Sequence, residues 1–282
     1  MRKLFTWTLP QTTLSLGQRT LVMGILNVTP DSFSDGGKYW DPEVAANRAR
    51  EMQEQGADVI DIGGESSRPG SIAVSEEEEL RRVIPVVKAL ARTLSIPVSV
   101  DTYRATVARM ALGEGAQIIN DISAFRFDAE MPRTVSESGA GVVLMHSRGD
   151  RETLHLQLPM ADPVQTVCCE LSKAIRTAEK AGTPKSAIVI DPGIGFGKSA
   201  EESKTVLRNL AAVSQLEYPL LVGTSRKSFL RRIESKGLRE ETVDRLWGTA
   251  ASVASAVFRG AHIVRVHDVA EIRRLVDVLD AI

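Results

Sequence analysis

Eight short apolar runs constrain this chain more than any other feature. They are Leu21–Val28, Asp58–Gly63, Val98–Asp101, Ile118–Ile122, Gly141–His146, Ala187–Asp191, Leu220–Thr224 and Ile263–His267. Each is continuous rather than alternating, the pattern of a strand covered on both faces. A polar turn and an amphipathic stretch follow each run. Eight strand–helix units in about 260 residues, with no linker or low-complexity break, predict a (β/α)8 (TIM) barrel, read as a single domain over 1–282. A doubly wound sheet is the alternative, and the even spacing favours closure. Residues 3–17 read as a short β-hairpin ahead of the barrel.

Helix signals fall between the strands. Ser75 with Glu78 reads as a capping box, followed by a stripe of Leu80, Val83, Val87, Leu90, Ala91 and Leu94. Ser199 with Glu202 opens another helix through Val206, Leu207, Leu210 and Val213. Asp268 with Glu271 opens the last. The stretch Arg245–Arg259 is rich in Ala and Ser, which allows close packing on the barrel or across a subunit interface.

Composition excludes several function classes. The net charge of −1 offers no basic field for nucleic acid or an anionic membrane. No apolar run is long enough to span a bilayer, and the N-terminus reads as no signal peptide. The two cysteines, Cys168 and Cys169, are neighbours in a helical pattern. They read as reduced packing residues of a cytoplasmic protein.

The segment Gly24–Gly37 turns abruptly from apolar to polar, with Asn27, Thr29, Asp31, Ser32, Ser34 and Asp35 close together. Asp41-Pro42 then opens a helix. Such strand-to-helix loops commonly carry function. In a barrel of this type the active site lies at the C-terminal strand ends. Those ends carry Asn27, then Gly63 to Gly70 with Glu65, Ser66, Ser67 and Arg68, then Asp101 and Asn120-Asp121. Met145-His146, Asp191 to Lys198, Gly223 to Ser228 and Arg265 to Asp268 complete the set. One such residue reads as a helix cap, but eight polar strand ends out of eight read as a binding rim. Asp101, Asn120, Asp191 and Lys227 suit a flat heterocycle with adjacent N–H donors and carbonyl acceptors. Phe196 and Arg265 can sandwich a ring. Asn27, Ser66, Ser67, Arg68, Arg265, His267 and glycine N–H groups suit a phosphorylated group.

Two look-alikes fail. The run ending Gly197-Lys198-Ser199 lacks the leading glycine of a P-loop, whose place Pro192 takes. The glycines at 193, 195 and 197 miss the dinucleotide spacing. Four scattered histidines form no metal cluster; His262 reads as structural and His155 has no evident partner. With no nucleophile constellation, the chemistry points to positioning two substrates and stabilising charge.

The segments Gly24–Gly37, Asp61–Gly70, Asp191–Lys198, Gly223–Phe229 and Arg265–Asp268 together resemble the dihydropteroate synthases of folate biosynthesis, from about residue 20 to 282. The resemblance implies a (β/α)8 barrel and joining of a dihydropterin-6-ylmethyl diphosphate to 4-aminobenzoate, with loss of pyrophosphate. It implies that Asp101, Asn120, Asp191 and Lys227 hold the pterin, with Met145, Phe196, Gly223 and Arg265 around it. It implies that Asn27, Arg265 and His267 bind the diphosphate, with Asn27 as the Mg²⁺ ligand. Ser66, Ser67 and Arg68 close over the anion, Ser228 receives the aminobenzoate carboxylate, and Phe33 and Pro69 wall that pocket. Asp35, Asp101 and Lys227 are the implied catalytic residues, and a homodimer is the implied assembly. The loops 28–37 and 65–72 are expected to order only when both ligands bind. Ser67 stands where the family usually has Thr, and Ser147-Arg148-Gly149 departs from the family's fifth loop. A pterin-binding methyltransferase and a silent pterin-binding paralogue are the competing readings. The first needs no diphosphate loops, and the second predicts loss of Asn27, Arg68, Lys227 or His267; all four are present.

Overall fold

The computed structural model describes residues 2–29, 42–66, 71, 73–154, 156–230 and 245–282. Two antiparallel strands, β1 (Phe5–Thr8) and β2 (Thr13–Leu16), come first. Eight parallel strands follow: β3 (Leu21–Asn27), β4 (Val59–Gly63), β5 (Val98–Asp101), β6 (Ile118–Asp121), β7 (Gly141–Met145), β8 (Ile188–Asp191), β9 (Leu221–Val222) and β10 (Ile263–Val266). They pair in the order β8-β7-β6-β5-β4-β3-β10-β9. One parallel bridge, Ile190 to Leu220, joins the outer strands and closes the (β/α)8 barrel.

Alternation along each strand sorts its side chains. Leu21, Met23, Val59, Ile118, Val143, Val189, Leu221 and Ile263 point inward. Val22, Ile60, Ile62, Val100, Ile119, Val142 and Leu144 point outward beneath the helices. The hairpin is the floor: Trp7 and Leu16, both wholly buried, plug the inner set from below. Trp7 Nε1 donates to Ala187 O at 3.0 Å. Gly141 is glycine because a Cβ there would lie 2.3 Å from Leu9 Cδ2. The inner layers therefore fill the lower barrel and leave the upper strand ends to polar groups.

The helices are α1 (Pro42–Glu54), α2 (Glu76–Leu90), α3 (Ala105–Gly113), α4 (Met131–Ser138), α5 (Pro163–Lys180), α6 (Ala200–Arg208), α7 (Leu210–Ser214), α8 (Arg245–Phe258) and α9 (Val269–Ala281). Ser199 and Glu202 form a complete capping box. Ser75 Oγ accepts from Glu78 N at 3.2 Å. The Glu78 carboxylate instead turns to Arg81 and Arg82, so half of that box forms. Asp268 makes no cap bond, because its carboxylate is engaged by Arg226 at 2.5 Å. The single helix expected from Ser199 to Val213 breaks at Asn209, whose carboxamide donates to Thr205 O at 2.8 Å. The ninth strand is shorter than Leu220–Thr224, since Leu220 N donates to His262 Nδ1 rather than into a ladder. That bond leaves His262 Nε2 to donate to Lys3 O at 3.0 Å, so this histidine ties the strand floor to the N-terminal segment.

Candidate active site

Register lines up the rim. Asn27 pairs with Gly63, Gly63 with Asp101, and Asp101 with Asn120. Register partners share a face, so these side chains point together into the barrel mouth, with Gly63 leaving room between them. Met145 pairs with Asp191 one inward layer above Val143 and Val189. Period-two alternation thus delivers Asp61, Asp101, Asn120, Met145, Asp191 and Arg265 to one volume.

Arg265 is the hub. Its Nε donates to Asp61 Oδ2 at 2.6 Å and its Nη2 to Asp101 Oδ2 at 2.7 Å. Asn120 Nδ2 donates to the same Asp61 oxygen at 3.0 Å. Asp61 Oδ1 and Asn120 Oδ1 are buried and have no hydrogen-bond partner among the described residues. Two such acceptors side by side call for donors from a ligand or from water. Asp191 Oδ1 accepts from Gly193 N at 2.7 Å.

Desolvation sets the charges here. It pushes Asp101 up to about 7 against the pull of Arg265, and Asp191 up to about 6 against the Gly193 bond and Lys227. It pushes Lys227 down to about 7, aided by Arg265. Carboxylates and amine are thus held close to neutrality, the condition in which a bound heterocycle decides their protonation. Lys227 Nζ sits 3.6 Å from the Phe196 ring centroid, a cation–π contact. Ile122, Met145, Leu154 and Phe196 form a separate apolar cluster beside it.

The second group lies next to the first. Ser225 Oγ and His267 Nδ1 are 2.9 Å apart, joining the loops after β9 and β10. Arg226, in the left-handed region at φ 58°, pairs with Asp268 across the same gap. Ser228 is exposed at the start of a helical turn over 228–230. Gly223 faces Arg265, whose Cβ is 3.7 Å from where a Gly223 Cβ would stand. Ser66 ends the described part of the second loop; Arg151 Nη2 donates to its carbonyl at 2.9 Å. Asp35, Ser67 and Arg68, with Phe33 and Pro69, lie outside the described residues, as does most of both loops expected to order on binding.

Two residues at the rim escaped the sequence reading of the site. Asp61 is a carboxylate inside an otherwise apolar strand, Val59–Gly63, and that placement was the available signal. Lys198 stands among the polar residues at the strand ends, but no role in the site is read for it from the sequence. Asp121, at the end of β6, is consumed locally: it accepts from Ser123 N at 2.7 Å and Phe125 N at 2.8 Å, bracing a turn with left-handed Ala124 and Phe125.

Residues 23–267 match the family model described as pterin binding enzyme. The chain is 44% identical over 272 residues to dihydropteroate synthase of a Synechocystis strain, covering 96% of this chain and 93% of that one. The chain belongs to the dihydropteroate synthase family. Its barrel superposes on the Xanthomonas albilineans synthase with 4-aminobenzoic acid at TM-score 0.90 and 40% identity, covering 99% and 98% of the two chains. It superposes on the Burkholderia cenocepacia synthase complexed with 7,8-dihydropteroate at 0.87 and 37%, covering 99% and 97%. Family membership makes the chain a transferase of folate synthesis.

Proposed function

We propose that the rim performs the synthase reaction as follows. The unpartnered Asp61 and Asn120 oxygens, beside Asp101 and Asp191, accept the N–H donors of the dihydropterin edge. That juxtaposition carries the reading, since an amino-pyrimidine offers parallel donors to such acceptors. Lys227 donates to the ring's carbonyl side, while Phe196, Met145 and Arg265 line its faces. Asn27, Ser66, Arg265 and His267 take the diphosphate, joined by Ser67 and Arg68. Ser228 and the turn it opens take the aminobenzoate carboxylate. Asp35 is assigned to the catalytic set from its place in the first polar loop.

Mg²⁺ suits this donor set. Among the described residues no three His, Cys, Asp or Glu side chains are grouped to hold a metal. A neutral Asn27 oxygen plus substrate phosphates and water is the coordination Mg²⁺ favours. When bound it neutralises charge on the departing diphosphate. The chain's own residues hold the pterin with its exocyclic carbon facing the second pocket. Loss of pyrophosphate precedes attack, the developing cation being stabilised by the pterin and by Asp101 and Asp191. The aryl amine then forms the C–N bond and releases a proton.

The assembly we infer is a homodimer through α8. Trp247 is 72% exposed and Phe258 65%, on one face of that helix, and Val278 of the adjoining α9 is 60% exposed. Two free cysteines fit a cytoplasmic setting. Among the described residues no helix is long and apolar enough to cross a membrane.

A coupled pyrophosphate-release assay tests the reading. Release should require the pterin diphosphate and yield dihydropteroate with 4-aminobenzoate, and a sulfonamide should compete with the latter. Binding of pterin without turnover would favour a silent paralogue.

A further inference from the structure

The loops after β7 and β8 meet at a single ammonium. Lys198 Nζ donates to Gly193 O at 2.8 Å, Phe196 O at 3.1 Å and His146 O at 3.2 Å. It also lies 2.8 Å from His146 Nδ1. The other ring nitrogen, Nε2, is 3.0 Å from Glu170 Oε2 on α5. An ammonium can only donate, so a neutral ring protonated on Nε2 presents Nδ1 as the acceptor toward the lysine. Three main-chain carbonyls and an imidazole nitrogen therefore converge on one cation, from both loops. Desolvation and the lysine's charge hold His146 down to about 4, so the ring stays neutral in this role, while desolvation, opposed by Asp191, lowers Lys198 to about 7.

The two loops touch backbone to backbone around this point. A Cβ on Gly193 would lie 1.8 Å from His146 O, and one on Gly197 would lie 2.7 Å from Arg148 Cβ. Gly193 and Gly197 are also in the left-handed region, at φ 63° and 64°. The glycines of this run thus serve loop-to-loop approach, which explains their failure to fit either nucleotide motif. Met145 ends the strand before the first loop, and Phe196 stands in the second. Both belong to the apolar cluster beside Lys227.

We propose that Lys198 is a positioning residue for the pterin pocket, its ammonium fastening the two loops into one wall that fixes Phe196 and Met145 against the ring. The inference rests on the pterin reading above. Lys198 acts through the carbonyls of His146, Gly193 and Phe196 and through the Phe196–Lys227 contact.

The test uses the intact protein and compares wild type, K198M, K198A and H146Q. Affinity for 6-hydroxymethylpterin is measured by calorimetry, the KM for 4-aminobenzoate at saturating pterin diphosphate, and folding by melting temperature. K198M should bind the pterin about tenfold more weakly, the scale on which groups supporting a site act. Its aminobenzoate KM should stay within about twofold of wild type, a split that general loosening of the barrel does not give. Methylammonium added to K198A should restore pterin affinity, because the carbonyl cradle remains for a free cation. Unchanged pterin affinity in K198M, or equal weakening toward both substrates without amine rescue, overturns the proposal. If K198M and K198A do not fold, H146Q decides: it keeps the lysine, and pterin binding about threefold weaker supports the proposal while unchanged binding overturns it. A wild-type protein that binds no pterin would instead overturn the functional reading on which the proposal stands.

Discussion

Asp61 shows what a single residue must do in this barrel. It has no exposed surface and satisfies Arg265 and Asn120 through one oxygen. Asp61→Ala would leave the Arg265 guanidinium half-paired at a desolvated site, with an expected loss of about 3 kcal/mol in urea unfolding. Pterin affinity should fall with it, because both partners lose their orientation. The rim carboxylates make a second prediction. Asp191 is raised from its ordinary 3.8 to about 6 by desolvation, so its folded form holds the proton longer than the unfolded chain does. Its contribution to stability is therefore present below pH 3.8 and is lost as pH rises through about 6. The ligand-free chain should lose stability across that window, and D191N should flatten the profile of urea midpoint against pH. Pterin binding runs the other way, since the ionised carboxylate is the acceptor. Its dissociation constant should rise about tenfold per pH unit below the Asp191 value.

At the scale of elements, the helix caps separate what local sequence decides from what partners decide. Ser199 and Glu202 complete their box, the second Glu202 oxygen accepting from Met160 N, and Ser199→Ala should cost about 1 kcal/mol in thermal unfolding. Glu78 and Asp268 carry the same pattern but lose their carboxylates to arginines, Arg81 and Arg82 nearby and Arg226 from 42 residues away. The nearby competition was visible in sequence; the distant one arises only once β9 and β10 lie side by side. The strands were legible because a doubly covered strand needs continuous apolar residues. The rim was legible because polar groups at eight strand ends have one common explanation. Asp61 and Lys198 were not, since their work is directed at other residues and no local pattern announces a partner across the barrel. Gly193→Ala extends this point. Its methyl would collide with His146 O, so the variant should lose pterin affinity by calorimetry while its far-ultraviolet dichroism stays close to wild type.

For the whole molecule, the floor and the outer helices set stability and assembly. Trp7→Ala opens a void beneath the inner layer and removes the bond to Ala187, with an expected loss of about 3 to 5 kcal/mol in chemical unfolding. Trp247→Glu puts a charge on the exposed face of α8. Sedimentation should shift from dimer to monomer, and a wild type already monomeric at micromolar concentration would remove that assembly from consideration. The closure of the sheet has a consequence for how the protein is made. β9 is two residues long, and among the described residues a single bridge, from Leu220 to Ile190, links it to β8. β10 then enters between β9 and β3, carrying Arg265, the group that neutralises Asp61 and Asp101. A chain still leaving the ribosome holds those two carboxylates side by side on the adjacent strands β4 and β5, with no guanidinium between them, until its last strands emerge. Synthesis of the site is therefore a terminal event, and nascent chains halted before β10 should neither retain a pterin nor resist proteolysis, however many of the first seven barrel strands have formed.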